Sequence, residues 1–269
     1  MEVILRKLEE DAKEILKFMA SNGLVANPTK TSFMVLNNRG EEEKVKIRVG
    51  NCTIENESTA KLLGVMVDED QKWTSHCQGV VKALNQRTGL IRRMKNHLSG
   101  EKVKKLVDSI WTSKLRYGLQ LCGKVRISEE MGRNKQLTQL QMAQNRMLRM
   151  LANKRIRDKV SIKSMLDKQK WLSVNQTNAQ IKLTEMWKMQ NDEKYPLKGK
   201  RQATTMEGRE TRGNAKGKWI EPGKSEIVQS SFMGDAIRLW NRAPRNIENA
   251  KTICGAKKEI KKYCLTLPI

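Results

Sequence analysis

The chain has 269 residues and a mass of 30.9 kDa, with 38% hydrophobic and 30% charged residues, enough for one large domain or two modest ones if the helices are cleanly amphipathic. No apolar run approaches the length of a membrane span and no apolar signal region opens the chain, so the expectation is an intracellular protein of cytoplasm and/or nucleus with no membrane partner. Against 53 Lys and Arg stand 29 Asp and Glu, a net +24, and the excess lies beyond residue 75: residues 1–75 hold 11 basic and 13 acidic side chains, residues 76–269 hold 42 and 16. Self-repulsion on that scale disfavours a compact state unless a polyanion offsets it. Nucleic acid fits better than an anionic membrane, because no helix pairs a basic face with a Trp/Phe/Leu-rich one.

In chain order, Val3 to Gly23 reads as a helix, with Ile4, Leu8, Ala12, Ile15, Leu16 and Met19 at helical spacing and Asn22-Gly23 as a stop. The stretch from Asn22 to Leu36, NGLVANPTKTSFMVL, then puts an Asn-Pro turn and Lys30 before a short strand, Thr31 to Asn37. Val45 to Ile54 alternates around a Gly-Asn turn and predicts a hairpin, and Ala60 to Glu69 predicts a further apolar strand ended by a polar turn and Trp73. From Thr74 the period is helical. Val80, Leu84, Ile91, Met94 and Leu98 form one stripe, with Lys82, Gln86 and Arg93 opposite and Arg87 at its edge. The next helix buries Val103, Leu106, Val107, Ile110 and Trp111, with Lys102, Lys105, Thr112 and Arg116 on its other face. A long helix is expected from about Ser128 to Ala152, then a short one over SIKSMLDKQ, then one over SVNQTNAQIKLTEMWKMQ. Residues 191–226 are rich in Gly, Lys and Arg and read as a basic linker. Phe232, Ala236, Leu239 and Trp240 mark one more amphipathic helix, and a short basic helix ends near Leu265. The fold class expected is α+β, and the Trp side chains are expected in cores.

The residues that could do chemistry are few. Five scattered cysteines without a CxxC pair, and only two histidines, argue against a zinc site or a disulfide framework. There is no GxxxxGK[ST] or GxGxxG phosphate loop. The best carboxylate cluster, Asp68-Glu69-Asp70, sits between a strand and a turn and reads as solvated, so no metal ligands are assigned. Lys30 is held between helix and strand either as a surface lysine at a turn or as a cation or proton donor for a phosphate group.

The segments NGLVANPTKTSFMVL and AKLLGVMVDEDQKWTSH, followed by SKLRYGLQLCG, LTQLQMAQNRMLRML and SSFMGDAIRLWNRAP, together resemble the reverse transcriptases of non-LTR (LINE-type, jockey-like) retrotransposons. The resemblance covers essentially the whole chain in the expected order. It implies that residues 1–73 are the C-terminal piece of the palm, a small antiparallel sheet remnant with one helix. It further implies that 74–190 are a helical thumb, 191–226 a linker and 227–269 a helical tail. By resemblance, Lys30 matches the palm lysine that assists nucleotidyl transfer, and Leu63, Gly64 and Val65 match the hairpin that grips the primer end, flanked by Lys61 and Trp73. Trp73 is read as a packing residue at the palm–thumb hinge, with base stacking as the competing role. The first catalytic aspartate, the Asp-Asp turn and an endonuclease segment have no counterpart here, so magnesium is expected to bind a missing N-terminal part and the chain is expected to be inactive alone.

The implied role is binding of an RNA template and an RNA–DNA hybrid or DNA through phosphates, which needs no sequence information. Residues 76–127 carry 12 basic and 2 acidic side chains, and the contacts expected are Lys82, Arg92, Arg93, Lys102, Lys105 and Arg116. The competing reading for any single lysine is solvation of a helix face. Two other readings of the whole chain stand beside this one: a stand-alone basic nucleic-acid-binding protein, and a decayed element fragment.

Overall fold

The computed structural model describes residues 2–27, 30–36, 45–196, 219, 228–229 and 231–269, and it is an α+β protein of two compact units, Met1–His76 and Cys77–Ile269. Most of the expected 191–226 linker lies outside the described residues.

In the first unit α1 (Glu2–Ser21) packs on β1 (Lys46–Val49), which pairs antiparallel with β2 (Cys52–Glu55) around the Gly50-Asn51 turn. The Glu9 carboxylate accepts the Arg48 N–H at 2.6 Å and pins helix to hairpin. Half-buried Leu5, Ala12, Leu16 and Met19 form one stripe of α1; Ile4, Ile15 and Phe18 form a second that stays in water, Phe18 at 67% exposure. The strand expected over Thr31 to Asn37 is instead a single bridge, Phe33 to Asn56, because no neighbouring described strand continues the ladder past it. The one strand expected over Ala60 to Glu69 is two, β3 (Thr59–Leu62) and β4 (Val65–Asp68), folded back at Leu63-Gly64 with φ of 48° and 83°. Two successive positive φ values match the right-handed twist of the flanking strands, which is why the turn closes in two residues. Asp68, expected to be solvated, is buried, and its carboxylate accepts the Ser75 N–H at 3.2 Å in the first turn of α2 (Thr74–Met94). A carboxylate there satisfies an orphan donor and the positive end of the helix dipole.

The second unit is helical. After α2 come α3 (Gly100–Leu106), a π-helical stretch (Val107–Thr112) and α4 (Ser113–Arg116), then α5 (Lys135–Leu151), α6 (Ile162–Gln169) and α7 (Val174–Asn191). The chain continues in α8 (Phe232–Trp240), α9 (Arg245–Glu248) and α10 (Ile253–Cys264). The π stretch keeps Val103, Val107, Trp111 and Leu115 facing inward as an unbroken i, i+4 row, and Trp111 donates its indole N–H to Thr88 Oγ1 at 3.0 Å. The helix expected from Ser128 begins only at Lys135. Gly132 interrupts it, and Asn134 caps it by accepting the Leu137 N–H at 3.0 Å, so 123–134 is a loop.

Two apolar cores meet along α7. Its Val174 and Ile181 join the core of α2, α3 and α5, while Ala179, Leu183, Met186 and Trp187 join that of α8 and α10. The helix is buried on nearly all sides, with polar residues interspersed among the apolar ones rather than gathered on one face. It tolerates burial because its polar groups are paired. Ser173 and Gln176 form a capping box; Asn175 donates to the Arg126 and Pro268 carbonyls at 2.9 Å; Gln176 donates to the Leu267 carbonyl at 2.9 Å. At its centre the fully buried Lys182 donates to Asp235 Oδ2 at 2.7 Å and to the Gly123 carbonyl at 3.0 Å, and the same Asp235 oxygen accepts the Val125 N–H at 2.8 Å. Arg238 completes the cluster, pairing with Asp235 and donating to the Val125 carbonyl at 2.6 Å. Burial pushes the Lys182 ammonium below its ordinary pKa and Asp235 opposes the shift.

Candidate nucleic-acid interface

Helices α2 and α5 lie side by side and run in the same sense. Arg146 donates to Asn85 Oδ1 at 3.1 Å, and one end further along Lys95 donates to the Met150 carbonyl at 2.9 Å. Neither helix contains an Asp or a Glu: the 21 residues of α2 and the 17 of α5 present only cations, amides, small and apolar side chains. Apolar spacing explains the pairing, since Val80, Leu84 and Ile91 of α2 and Leu137, Leu140 and Met147 of α5 share one core and turn the remaining faces outward.

Between the outward faces runs an open groove of about 540 Å³ lined by Gln78, Val81, Lys82, Asn85, Gln86, Gln139 and Arg146. The exposed Met142 of α5 forms its far wall and is also the near wall of a second cleft of about 230 Å³, to which the 123–134 loop contributes Lys124, Arg126 and Arg133. No Asp or Glu side chain lines either depression. Arg126 is engaged by Glu129 at 2.5 Å, and Lys124 is held toward Gln229 at 3.4 Å. Amides beside cations suit a phosphate backbone: the cation supplies charge and the amide N–H supplies a directed donor.

The residues expected as contacts divide between places. Lys82 lines the larger groove, and Arg92 and Arg93 lie exposed near the C-terminal end of the same helix. Lys82 and Arg93 are three helical turns apart on one face, about 16 Å, roughly five phosphate steps along one strand. Lys102 and Lys105 are exposed on α3 and line neither groove. Arg116 opens into a third cleft, beside Gln180 at 3.2 Å, and partial burial lowers its pKa from the ordinary arginine value. Arg146, Lys124 and Arg133 were not anticipated. The signal that could have found Arg146 is the complete absence of acids from a 17-residue helix.

In the first unit Lys30 stands exposed on a turn, its N–H donating to the Asn27 carbonyl at 3.1 Å. Leu63 and Gly64 form the tip of the β3–β4 hairpin, Leu63 at 85% exposure, and Val65 begins the return strand, half-buried. Lys61 is exposed on β3; Trp73 is half-buried at φ 59° just before α2. Trp111, Trp187 and Trp240 are core residues. The 68–70 carboxylates do not converge, since Asp68 caps α2 while Asp70 accepts the Lys72 N–H at 3.0 Å, the main cause of its lowered pKa. Among the described residues no group of three or more His, Cys, Asp and Glu could hold a metal ion, and no helix is long and apolar enough to cross a membrane.

No protein-family model matches the chain, and neither a curated protein nor a solved structure matches it.

Proposed function

We propose that the second unit binds nucleic acid through its phosphate backbone, and that the chain is a C-terminal portion of a non-LTR retrotransposon reverse transcriptase that holds template–primer duplex without the catalytic aspartates. The observation that carries the reading is the pair of parallel helices, α2 and α5, free of carboxylates and enclosing a groove in which Lys82, Arg146 and four amide side chains surround apolar Val81 and Met142. Ordinary solvated helix faces mix both signs of charge, whereas a face of one sign raises the local concentration of a polyanion and steers its approach. Contacts of this kind read no sequence, as a clamp on a growing duplex requires.

In this reading the partners are an RNA template and its RNA–DNA hybrid or DNA, the compartment is cytoplasm and/or nucleus, and the Leu63-Gly64 tip approaches the primer end. Lys30 would neutralise a leaving pyrophosphate only when an N-terminal catalytic part is present. Magnesium, which copying needs, would bind that part; among the described residues no group of three or more His, Cys, Asp and Glu fits it, and Asp68 and Asp70 are committed to Ser75 and Lys72. No catalytic step is therefore assigned to this chain.

The second reading, a stand-alone basic nucleic-acid-binding protein, draws on the same groove. Fluorescence anisotropy with an RNA–DNA hybrid, duplex DNA and duplex RNA of several sequences tests the binding. Similar affinities across sequences with steep salt dependence are expected; salt-independent or tightly sequence-specific binding would overturn it. Primer extension by the chain alone with magnesium and nucleotides would refute the absence of a catalytic centre.

A further inference from the structure

The cleft that holds Arg116 is separate from the two grooves. It opens on the side of α5 marked by Gln144, whereas Met142 marks the side of the grooves. It measures about 180 Å³ and is floored by the stacked pair Trp111 and Trp171, whose ring centres are 6.1 Å apart with planes 12° from parallel. Three cations reach its rim from three different elements: Arg116 from the end of α4, Lys170 from the turn between α6 and α7, and Lys261 from α10. Against them stands a single carboxylate, Asp108, while the hydroxyls of Thr112 and Thr177 and the Gln180 amide supply uncharged hydrogen-bonding groups.

We propose that this cleft is a binding site for a single phosphate group, borne by a nucleotide or by the end of a nucleic-acid strand. Convergence from three segments, each more than fifty residues from the next in sequence, sets it apart from a run of solvated lysines. Arg116 is the anchor: its guanidinium donates to a neutral partner, Gln180, at 3.2 Å, and retains the planar fork that suits an oxyanion. Trp171, half-buried over Trp111, offers a flat apolar surface beside the charges, which suits a ring attached to the phosphate. The volume admits a phosphate with a small ring and is too small for a duplex, so this site differs in ligand from the grooves and does not depend on their role.

The test is isothermal titration calorimetry of the full chain with inorganic phosphate, AMP, and a short single strand carrying either a 5′-phosphate or a 5′-hydroxyl. Expected is saturable one-to-one binding of phosphate, tighter for whichever carrier the flat surface favours. AMP ahead of the strands identifies a free nucleotide, and the 5′-phosphorylated strand ahead of both AMP and its hydroxyl twin identifies a strand end. R116A and K261A should each weaken phosphate binding by roughly tenfold to a hundredfold, the range for a lost charge-assisted hydrogen bond. D108N should tighten it, a gain that a merely structural role would not produce. K82A should leave phosphate binding unchanged while weakening binding of hybrid, which keeps failure of this site distinct from failure of the grooves. The proposal is overturned if no phosphate compound binds at millimolar concentration, if R116A and K261A, both folded by circular dichroism, bind as the parent does, or if the two strands bind alike and more tightly than AMP.

Discussion

Removing the charge of Lys82 and Arg146 together tests the groove directly. Both line it, from opposite helices, and Arg146 is fixed by Asn85 at 3.1 Å. The α2–α5 surface and its flanking loop offer Lys82, Arg92, Arg93, Lys124, Arg133 and Arg146 to phosphates, with Arg126 already paired to Glu129. Six neutralised phosphates predict a log–log salt slope of about −5, so affinity for a hybrid should fall about a thousandfold between 50 and 200 mM salt. Each cation removed should make the slope shallower by about 0.9, worth roughly eightfold, or about 1.2 kcal/mol, near 0.1 M salt. The double variant K82A/R146A should thus show a slope near about −3.6 and bind roughly sixtyfold more weakly at 0.1 M. K163A, an exposed lysine of α6 outside both grooves, is the control and should leave the slope unchanged. Anisotropy titrations at four salt concentrations decide the matter. A slope no steeper than about −2, or equal losses in K163A and K82A, would mean diffuse attraction to a basic molecule and would refute the groove.

Three further outcomes follow from the interior. Replacing Lys182 with Met leaves the buried Asp235 with Arg238 as its remaining cation among the described residues and should cost about 3–5 kcal/mol in urea denaturation, whereas the triple variant K182M/D235L/R238M should recover much of that loss. Gly123 sits at φ +116° with the position of an added Cβ 2.5 Å from Asn134 Nδ2, so G123A should strain the backbone, displace the α5 cap and cost at least about 2 kcal/mol, read as a lowered Tm. Burial pushes the Cys264 thiol up to about 12, so at pH 8 its thiolate fraction is roughly a thousandfold below that of an ordinary thiol and alkylation should reach it only after unfolding, while exposed Cys254 reacts at once. Because the folded state holds that proton more tightly, the associated stability is complete below the unfolded pKa of 9.0 and declines as pH rises from there toward 12.

Helix periodicity made α2, the α3–α4 rod, α6 and α8 legible, since each has an apolar stripe that a neighbour covers. Where the pattern misled, a local device outweighed it. Leu63 is no turn-former by type, so the residue pattern hides the fold-back between β3 and β4 inside an apolar run, although the resemblance implied a hairpin at Leu63, Gly64 and Val65. The helix expected from about Ser128 in fact starts seven residues later, at Lys135, behind Gly132 and the Asn134 cap. Helix α7 was legible as a helix, one being expected over SVNQTNAQIKLTEMWKMQ, but its burial on nearly all sides was not. Its burial leaves no apolar stripe, because hydrogen bonds to distant carbonyls at Gly123, Arg126 and Leu267 do what apolar contact does elsewhere. The site was legible in kind but only partly in residues: total charge pointed to a polyanion, while which cations share a groove depends on the α2–α5 pairing, a tertiary fact.

The buried cluster and the grooves belong to one mechanical argument. The loop 123–134 carries Lys124, Arg126 and Arg133, and a loop of that length would ordinarily leave its cations loosely placed. Here its first residues are fixed from beneath. The Gly123 carbonyl accepts from Lys182 and Asn178, the Val125 N–H binds Asp235, the Val125 carbonyl accepts from Arg238, and the Arg126 N–H and carbonyl both bind Asn175. Every backbone polar group from the Gly123 carbonyl to the Arg126 carbonyl, apart from those of Lys124, thus has a partner on α7 or α8. An ion pair buried at 0% exposure contributes little net stability over apolar side chains of similar size. Its value lies in geometry: a carboxylate with two charged partners and one backbone donor fixes a loop in a way that no leucine could. K182M/D235L/R238M should accordingly fold nearly as well as the parent yet hold hybrid less tightly, since the apolar trio stabilises α7 against α8 but leaves Val125 and the cations beyond it unanchored.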